Sequence, residues 1–194
     1  MPSLSAAVAE LVRRAKDATA PRGCATKIIA IDGLGGAGKT SLAAILAREL
    51  GGVPVVHTDD FATHEDFLGW GPRLRASVLE PLARGERASY RPYLWDERRL
   101  GEPISVPAGG VVVIEGVFCS RTELRPYLAC IVWVETPRPV RLARALLRDG
   151  AAAVEFWADW TAAEERFLAE EHPREHAHLV IDGTPPYLEE QREG

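Results

Sequence analysis

The sequence predicts an α/β domain built on a parallel sheet, and three observations carry that expectation. Five short runs rich in Val and Ile are near-continuous in apolar residues rather than alternating, the pattern of strands buried on both faces. Amphipathic stretches of helical period lie between them, so consecutive strands are joined by right-handed crossovers. The 194 residues, 46% of them apolar and 26% charged, suffice to bury one core without disulfides or metal staples.

In chain order, Leu4, Val8, Leu11, Val12 and Ala15 recur at helical spacing and predict an N-terminal helix within residues 1–20 that ends before TAPRG. The first strand is KIIAID (27–32), followed by a helix carrying Leu42, Ile45, Leu46 and Leu50. The second strand is VPVVH (53–57), and Leu74, Val78, Leu79 and Leu82 mark the next helix. VVVIE (111–115) and CIVWVE (130–135) are the third and fourth strands; Val140, Leu142, Ala143, Leu146 and Leu147 then repeat as a helix. A last helical pattern runs from Val154 to Leu168, before the fifth strand HLVID (178–182). No internal repeat or low-complexity tract divides residues 1–194, which are expected to form one domain.

Two segments interrupt the alternation. Residues 85–110 are rich in Arg, Pro and Gly and hold Tyr90, Tyr93 and Trp95, while residues 149–160 hold Trp157 and Trp160. Insertions near the C-terminal ends of parallel strands are where such folds place ligand contacts, so the first is expected on an acceptor side and the second as a lid.

Charge narrows the function classes. With 28 acidic against 23 basic residues the net charge is -5, and only Lys16, Lys27 and Lys39 are lysines, which argues against nucleic acid as the partner. No apolar run approaches the roughly 18–20 residues of a membrane span and no leader pattern opens the chain, so a cytoplasmic protein without membrane contact is expected. Cys24, Cys119 and Cys130 lack ligand spacing and read as reduced, buried thiols.

The segment GLGGAGKTS fits G-x-x-x-x-G-K-[ST] from Gly33 to Thr40, between a strand ending at Asp32 and a helix starting near Lys39. In such a loop the backbone N–H groups of Gly33, Gly35, Gly36, Ala37 and Gly38 turn toward phosphate oxygens, and the helix start through Ser41 adds partial positive charge. Lys39 is placed to bridge the β- and γ-phosphates of a nucleoside triphosphate, and the Thr40 hydroxyl to ligate Mg2+. Lys16, Lys27 and Lys39 are followed two positions later by Ala18, Ile29 and Ser41, so no [NT]KxD guanine-reading motif exists.

The other strand ends supply the remaining chemistry. HTDDF places Asp59 and Asp60 beside the loop, where a carboxylate can take the proton of an acceptor hydroxyl; a helix cap or a solvated turn is the alternative. Glu115 ends the third strand in the position of an acidic group that orients Mg2+ or its waters. Arg141, Arg144 and Arg148 share one helical face, either solvated or closing on the transferring phosphoryl group. His57 reads as a packed or hydrogen-bonded histidine, and Pro173 breaks the alignment of His172, His176 and His178 needed for a metal pair.

Together IDGLGGAGKTS, TDDF, IEGVFCSRTELRPYL leading into VWVETPRPVRLARALLRD, and AHLVIDGTP resemble the uridine kinase-like P-loop kinases, over residues 25–184. That resemblance implies a three-layer fold with sheet order 2-3-1-4-5, ATP with Mg2+ as donor, and a small hydroxylated acceptor, uridine or a related nucleoside first. It assigns the base to Asp59, followed by Asp60 and Phe61. It makes Arg91, Tyr93, Trp95 and Asp96 of YRPYLWDERRL, together with Arg141, candidates for acceptor contact, with Lys39, Arg144 and Arg148 acting on the phosphates. Ala62 stands where that group carries Tyr, and GAAAVEFWADW replaces its R-G-R-D lid continuation. The rival readings are a kinase for a sugar, vitamin or other alcohol, and an ATP-binding or ATPase module with a protein partner. The N-terminal helix is a candidate homo-oligomer contact.

Overall fold

A computed structural model describes residues 4–66, 68–149 and 154–184. Its strands are β1 (Lys27–Asp32), β2 (Val55–His57), β3 (Ala88–Tyr90), β4 (Tyr93–Leu94), β5 (Arg99–Leu100), β6 (Ile104–Val106), β7 (Val111–Glu115), β8 (Leu128–Glu135) and β9 (Leu179–Asp182). Its α-helices are α1 (Leu4–Asp17), α2 (Lys39–Glu49), α3 (Gly71–Leu74), α4 (Glu80–Ala83), α5 (Arg138–Asp149) and α6 (Val154–Glu171). A π-helical turn, Arg75–Leu79, joins α3 to α4.

Five strands pair in parallel in the order β2-β7-β1-β8-β9, which is 2-3-1-4-5 when those five are counted along the chain. β1 is central because its residues are apolar on both sides, and strand alternation divides them between two cores. Ile29 and Ile31 face α1 and α2 with Leu11, Leu42 and Leu46. Ile28 and Ala30 face Trp70, Leu74, Leu79, Phe118 and Phe167 on the opposite layer.

The N-terminal helix covers this chain's own sheet. Leu11 and Ala15 are fully buried, so its apolar face is used internally and the expected oligomer contact has no support from that face. Lys27 Nζ donates to Lys16 O (2.7 Å) and Ala15 O (3.3 Å), satisfying carbonyls that the end of α1 leaves open. One of the three lysines, Lys27, thereby has a structural role.

Several boundaries and one face differ from expectation. β2 begins at Val55 because Pro54 has no N–H to give a ladder, and β8 extends back to Leu128. The 85–110 insertion contains two antiparallel pairs, β3 with β6 and β4 with β5, too short to register as apolar runs. Leu142 and Leu147 of α5 are exposed, whereas Ala145 is buried and Arg141 and Arg144 turn inward. Inward arginines win because the carbonyls of Gly35 and Gly183 and the Glu164 carboxylate accept their hydrogen bonds there. Cys119 and Cys130 are buried, and burial raises both thiols, but Cys24 is only half-buried. Of the predicted lid, residues 150–153 and the Trp157 side chain lie outside the described residues, and α6 already begins at Val154. Among the described residues no helix is long and apolar enough to cross a membrane.

Candidate active site

The glycine loop leaves the C-terminal end of β1, where Asp32 is fully buried. Its carboxylate accepts from Gly33 N (2.7 Å), Phe118 N (3.0 Å), Ser120 N (2.8 Å) and Ser120 Oγ (2.6 Å), lashing the loop to the turn that follows β7. Burial raises this carboxyl above its ordinary range, and the ring of donors opposes that rise. Asp32→Asn would turn an NH2 group against some of those donors. A loss of about 1–3 kcal/mol is expected for leaving such buried groups unpaired, read from the denaturant midpoint.

Within the loop Gly36 has φ +77°, and a Cβ there would run into the carbonyl oxygen of Arg141, so only glycine fits. Gly38 (φ +96°) then hands the chain to α2, whose first residue is Lys39. Lys39 is nearly buried, and its Nζ donates back across the loop to Leu34 O (3.0 Å). Gly35, Gly36, Gly38, Thr40 and Ser41 share the lining of a cleft of about 660 Å3 with Lys39, Asp59, Glu115, Arg144, Arg148, Trp95 and Trp160.

Register puts His57 of β2 and Ile31 of β1 on either side of Glu115 at the end of β7. Glu115 is buried; its Oε1 accepts from Thr40 Oγ1 (3.1 Å) and lies 2.6 Å from His57 Nδ1. That hydrogen bond is the main reason the His57 imidazole is raised above its usual value. The Thr40 hydroxyl and the Glu115 carboxylate bring two hard oxygen donors together beside the loop, a donor set that suits Mg2+. A close approach builds this corner: a Cβ on Gly116 (φ +144°) would collide with the buried Thr58 side chain.

The 3-10 turn Thr58–Asp60 separates the two aspartates. Asp59 opens into the cleft, where Lys39 and Arg148 act on it electrostatically, and the surrounding protein raises its carboxyl through desolvation. Asp60 turns away and accepts from the Tyr90 hydroxyl (2.8 Å), and burial together with that bond raises the phenol above its ordinary value. Phe61 is buried against the Tyr90 ring, centroids 4.7 Å apart, and Arg73 donates to its carbonyl.

The predicted acceptor residues separate in the same way. Trp95 lies at the cleft and donates from Nε1 to Asp59 O (3.2 Å). Tyr93 is buried behind it, 5.4 Å between ring centroids, with its hydroxyl 2.9 Å from His64 Nδ1. Arg91 Nε donates to Gly101 O (2.7 Å), bracing the insertion, and Asp96 is exposed outside the cleft lining.

Arg141, Arg144 and Arg148, the arginines of α5 singled out by their spacing, also divide. Arg141 reaches behind the loop to Thr136 O (3.2 Å), Gly35 O (3.1 Å) and Glu164 Oε2 (3.1 Å), and does not line the cleft. Arg144 lines the cleft while donating to Gly183 O and Thr184 O, both at 2.8 Å, and to Gly36 O at 3.4 Å. Arg148 lines the cleft on the side of Asp59. Sequence reasoning passed over Asp32, Glu164 and His64; for Asp32 its place immediately before Gly33 was a usable signal, and for the others no local pattern exists.

Solved structures share this architecture. One, described as a possible uridine kinase from Bacillus stearothermophilus, superposes with a TM-score of 0.71 at 22% identity, covering 93% of this chain and 100% of its own. A second, described as a candidate kinase of a fructose transport system from Silicibacter sp. TM1040, gives 0.62 at 21% identity, covering 90% of this chain and 98% of its own. The fold is that of P-loop kinases. No family model matches the sequence, and no curated protein matches it either. The P-loop fold explains why the glycine loop, Asp59 and Glu115 converge: each leaves the C-terminal end of one of three adjacent strands, β1, β2 and β7.

Proposed function

We propose that this protein is a small-molecule kinase that transfers the γ-phosphoryl group of ATP to a hydroxyl, with a nucleoside such as uridine as the first acceptor class. The observation that carries the reading is Asp59 opening into the same cleft as Lys39 and the glycine loop, capped by the Trp95 indole. An ATP sensor has no need of a carboxylate beside a wall of tryptophans.

In the proposed reaction the N–H groups of Gly36 and Gly38 and the α2 N-terminus at Lys39 hold the phosphates, while those of Gly33, Gly35 and Ala37 brace the loop itself. Asp59 accepts the acceptor's hydroxyl proton, the freed oxygen attacks the γ-phosphorus, and the bond to the β–γ bridging oxygen breaks to leave ADP. Lys39 and Arg148 stabilise the charge spread over the transferring group, with Arg144 beside them. Thr40 and Glu115 would hold Mg2+, which when bound supplies neutralising positive charge to the phosphates.

The flat faces of Trp95 and Trp160 in the cleft suit a base ring, and the neighbour named as a possible uridine kinase supports that choice. The neighbour assigned to a fructose transport system makes a sugar the second class to try. ADP release measured over a panel of nucleosides, sugars and vitamins decides between them. Stimulation by a nucleoside is the expected result. Nucleotide binding with no stimulation by any hydroxyl compound would overturn the kinase reading in favour of an ATP-binding module.

A further inference from the structure

Besides Asp32 and Glu115, one more carboxylate is buried beside the phosphate loop, and it comes from a distant helix. Glu164 of α6 is 3% exposed and 129 positions from Gly35. Its Oε1 accepts from Gly35 N (2.5 Å) and from Trp160 Nε1 (3.0 Å), and its Oε2 from Arg141 Nη1 (3.1 Å). The same Arg141 nitrogen donates to Gly35 O (3.1 Å). Both backbone polar groups of Gly35 are thus held by side chains, one from α5 and one from α6.

A glycine loop owes its use to conformational freedom, and that freedom must be removed before phosphate arrives if binding is to be tight. Contrary to the expectation that every loop amide faces phosphate, the Gly35 N–H is aimed at Glu164, the Gly33 N–H at Asp32 and the Ala37 N–H at Leu34 O, so Glu164 fixes the peptide plane that leads into Gly36. A bare carboxylate there would repel a polyphosphate, but the Arg141 guanidinium neutralises it. The Trp160 indole, which also lines the cleft and stacks near Phe118 (centroids 5.8 Å apart), fixes the orientation of the carboxylate.

We propose that Glu164 is a positioning residue for nucleotide binding, acting through its hydrogen bond to the Gly35 amide rather than through its charge. The proposal rests on the phosphate-site reading above. Two conservative variants separate the two ways the side chain could act. Glu164→Gln keeps an oxygen acceptor for Gly35 and Trp160 at the same reach but puts an NH2 group where Oε2 met Arg141, which loses its charge partner and retains Thr136 O and Gly35 O as acceptors. Glu164→Asp keeps the charge but is one methylene shorter; the flexible Arg141 side chain can follow it, whereas the Gly35 backbone cannot.

The test is calorimetric titration of the full chain with ADP and Mg2+, alongside thermal melting of each variant. Glu164→Gln is expected to bind ADP within about threefold of the wild type, and Glu164→Asp to bind about tenfold more weakly, the loss of roughly one hydrogen bond. The opposite order, with Asp retained and Gln lost, would make Glu164 an ion-pair anchor and overturn the proposal. So would melting shifts in both variants with unchanged ADP affinity, which mark a purely structural role. A wild-type chain that takes no ADP overturns the phosphate-site reading and this inference with it, so the two failures are distinguishable.

Discussion

Asp59→Asn is expected to lower phosphoryl transfer about 100- to 10,000-fold, the range for loss of a positioned general base, while ADP binding is retained. The substitution keeps the shape of the side chain and the Trp95 bond, because that indole donates to the backbone oxygen of Asp59 and not to its carboxylate. Asp60→Asn serves as the contrast. Asp60 accepts from Tyr90, so its loss is expected to loosen the Phe61–Tyr90 stack and cost far less activity. If Asp60→Asn were the inactive variant, the base would have to be reassigned. The pH profile gives a second reading of the same residue. Desolvation raises the Asp59 carboxyl, so the acid limb of activity should lie above the ordinary carboxylate value of 3.8. The sign for stability follows: the folded state holds this proton more tightly than the unfolded chain. An ionised Asp59 therefore costs stability once the pH exceeds its folded pKa, and Asp59→Asn should melt no lower than wild type at pH 7. The stability gain is small, because water reaches the side chain through the cleft.

Lys39→Ala is expected to reduce transfer about 100- to 1,000-fold, the usual cost of deleting one preorganised group that meets developing charge. No other lysine can substitute, since Lys16 and Lys27 belong to the far end of α1 and the start of β1. The fold should persist, because Lys39 makes its bond to Leu34 O within the loop and α2 is anchored by Leu42, Ile45 and Leu46. Circular dichroism and an ADP-release assay on the same preparation check both halves. Transfer at the wild-type rate with an intact fold would remove the phosphate site from the glycine loop.

Much of this site is legible along the chain because its parts are local. The glycine loop is contiguous from Gly33 to Thr40, and both its flanking strand and helix follow from apolar periodicity. Asp59 and Glu115 could be placed because strands of an α/β sheet end on one edge, so a carboxylate at a strand end has a known address. Arginine spacing on α5 was legible, but its partners were not. Arg141 meets Gly35, 106 positions away, and this pairing turned the helix so that Leu142 and Leu147 face outward. Likewise Tyr93 and Trp95 are two residues apart on one short segment, yet one is buried and the other lines the cleft.

The sequence by itself determined the α/β class, the five core strands and the place of the glycine loop between β1 and α2, because periodicity and local spacing encode burial and backbone turns directly. Only the tertiary structure decided which aspartate faces the cleft, which arginines brace the loop, and that Glu164 meets Gly35. Those outcomes depend on contacts between residues far apart in the chain. Such contacts are set by how helices pack on the sheet, and no local pattern records them.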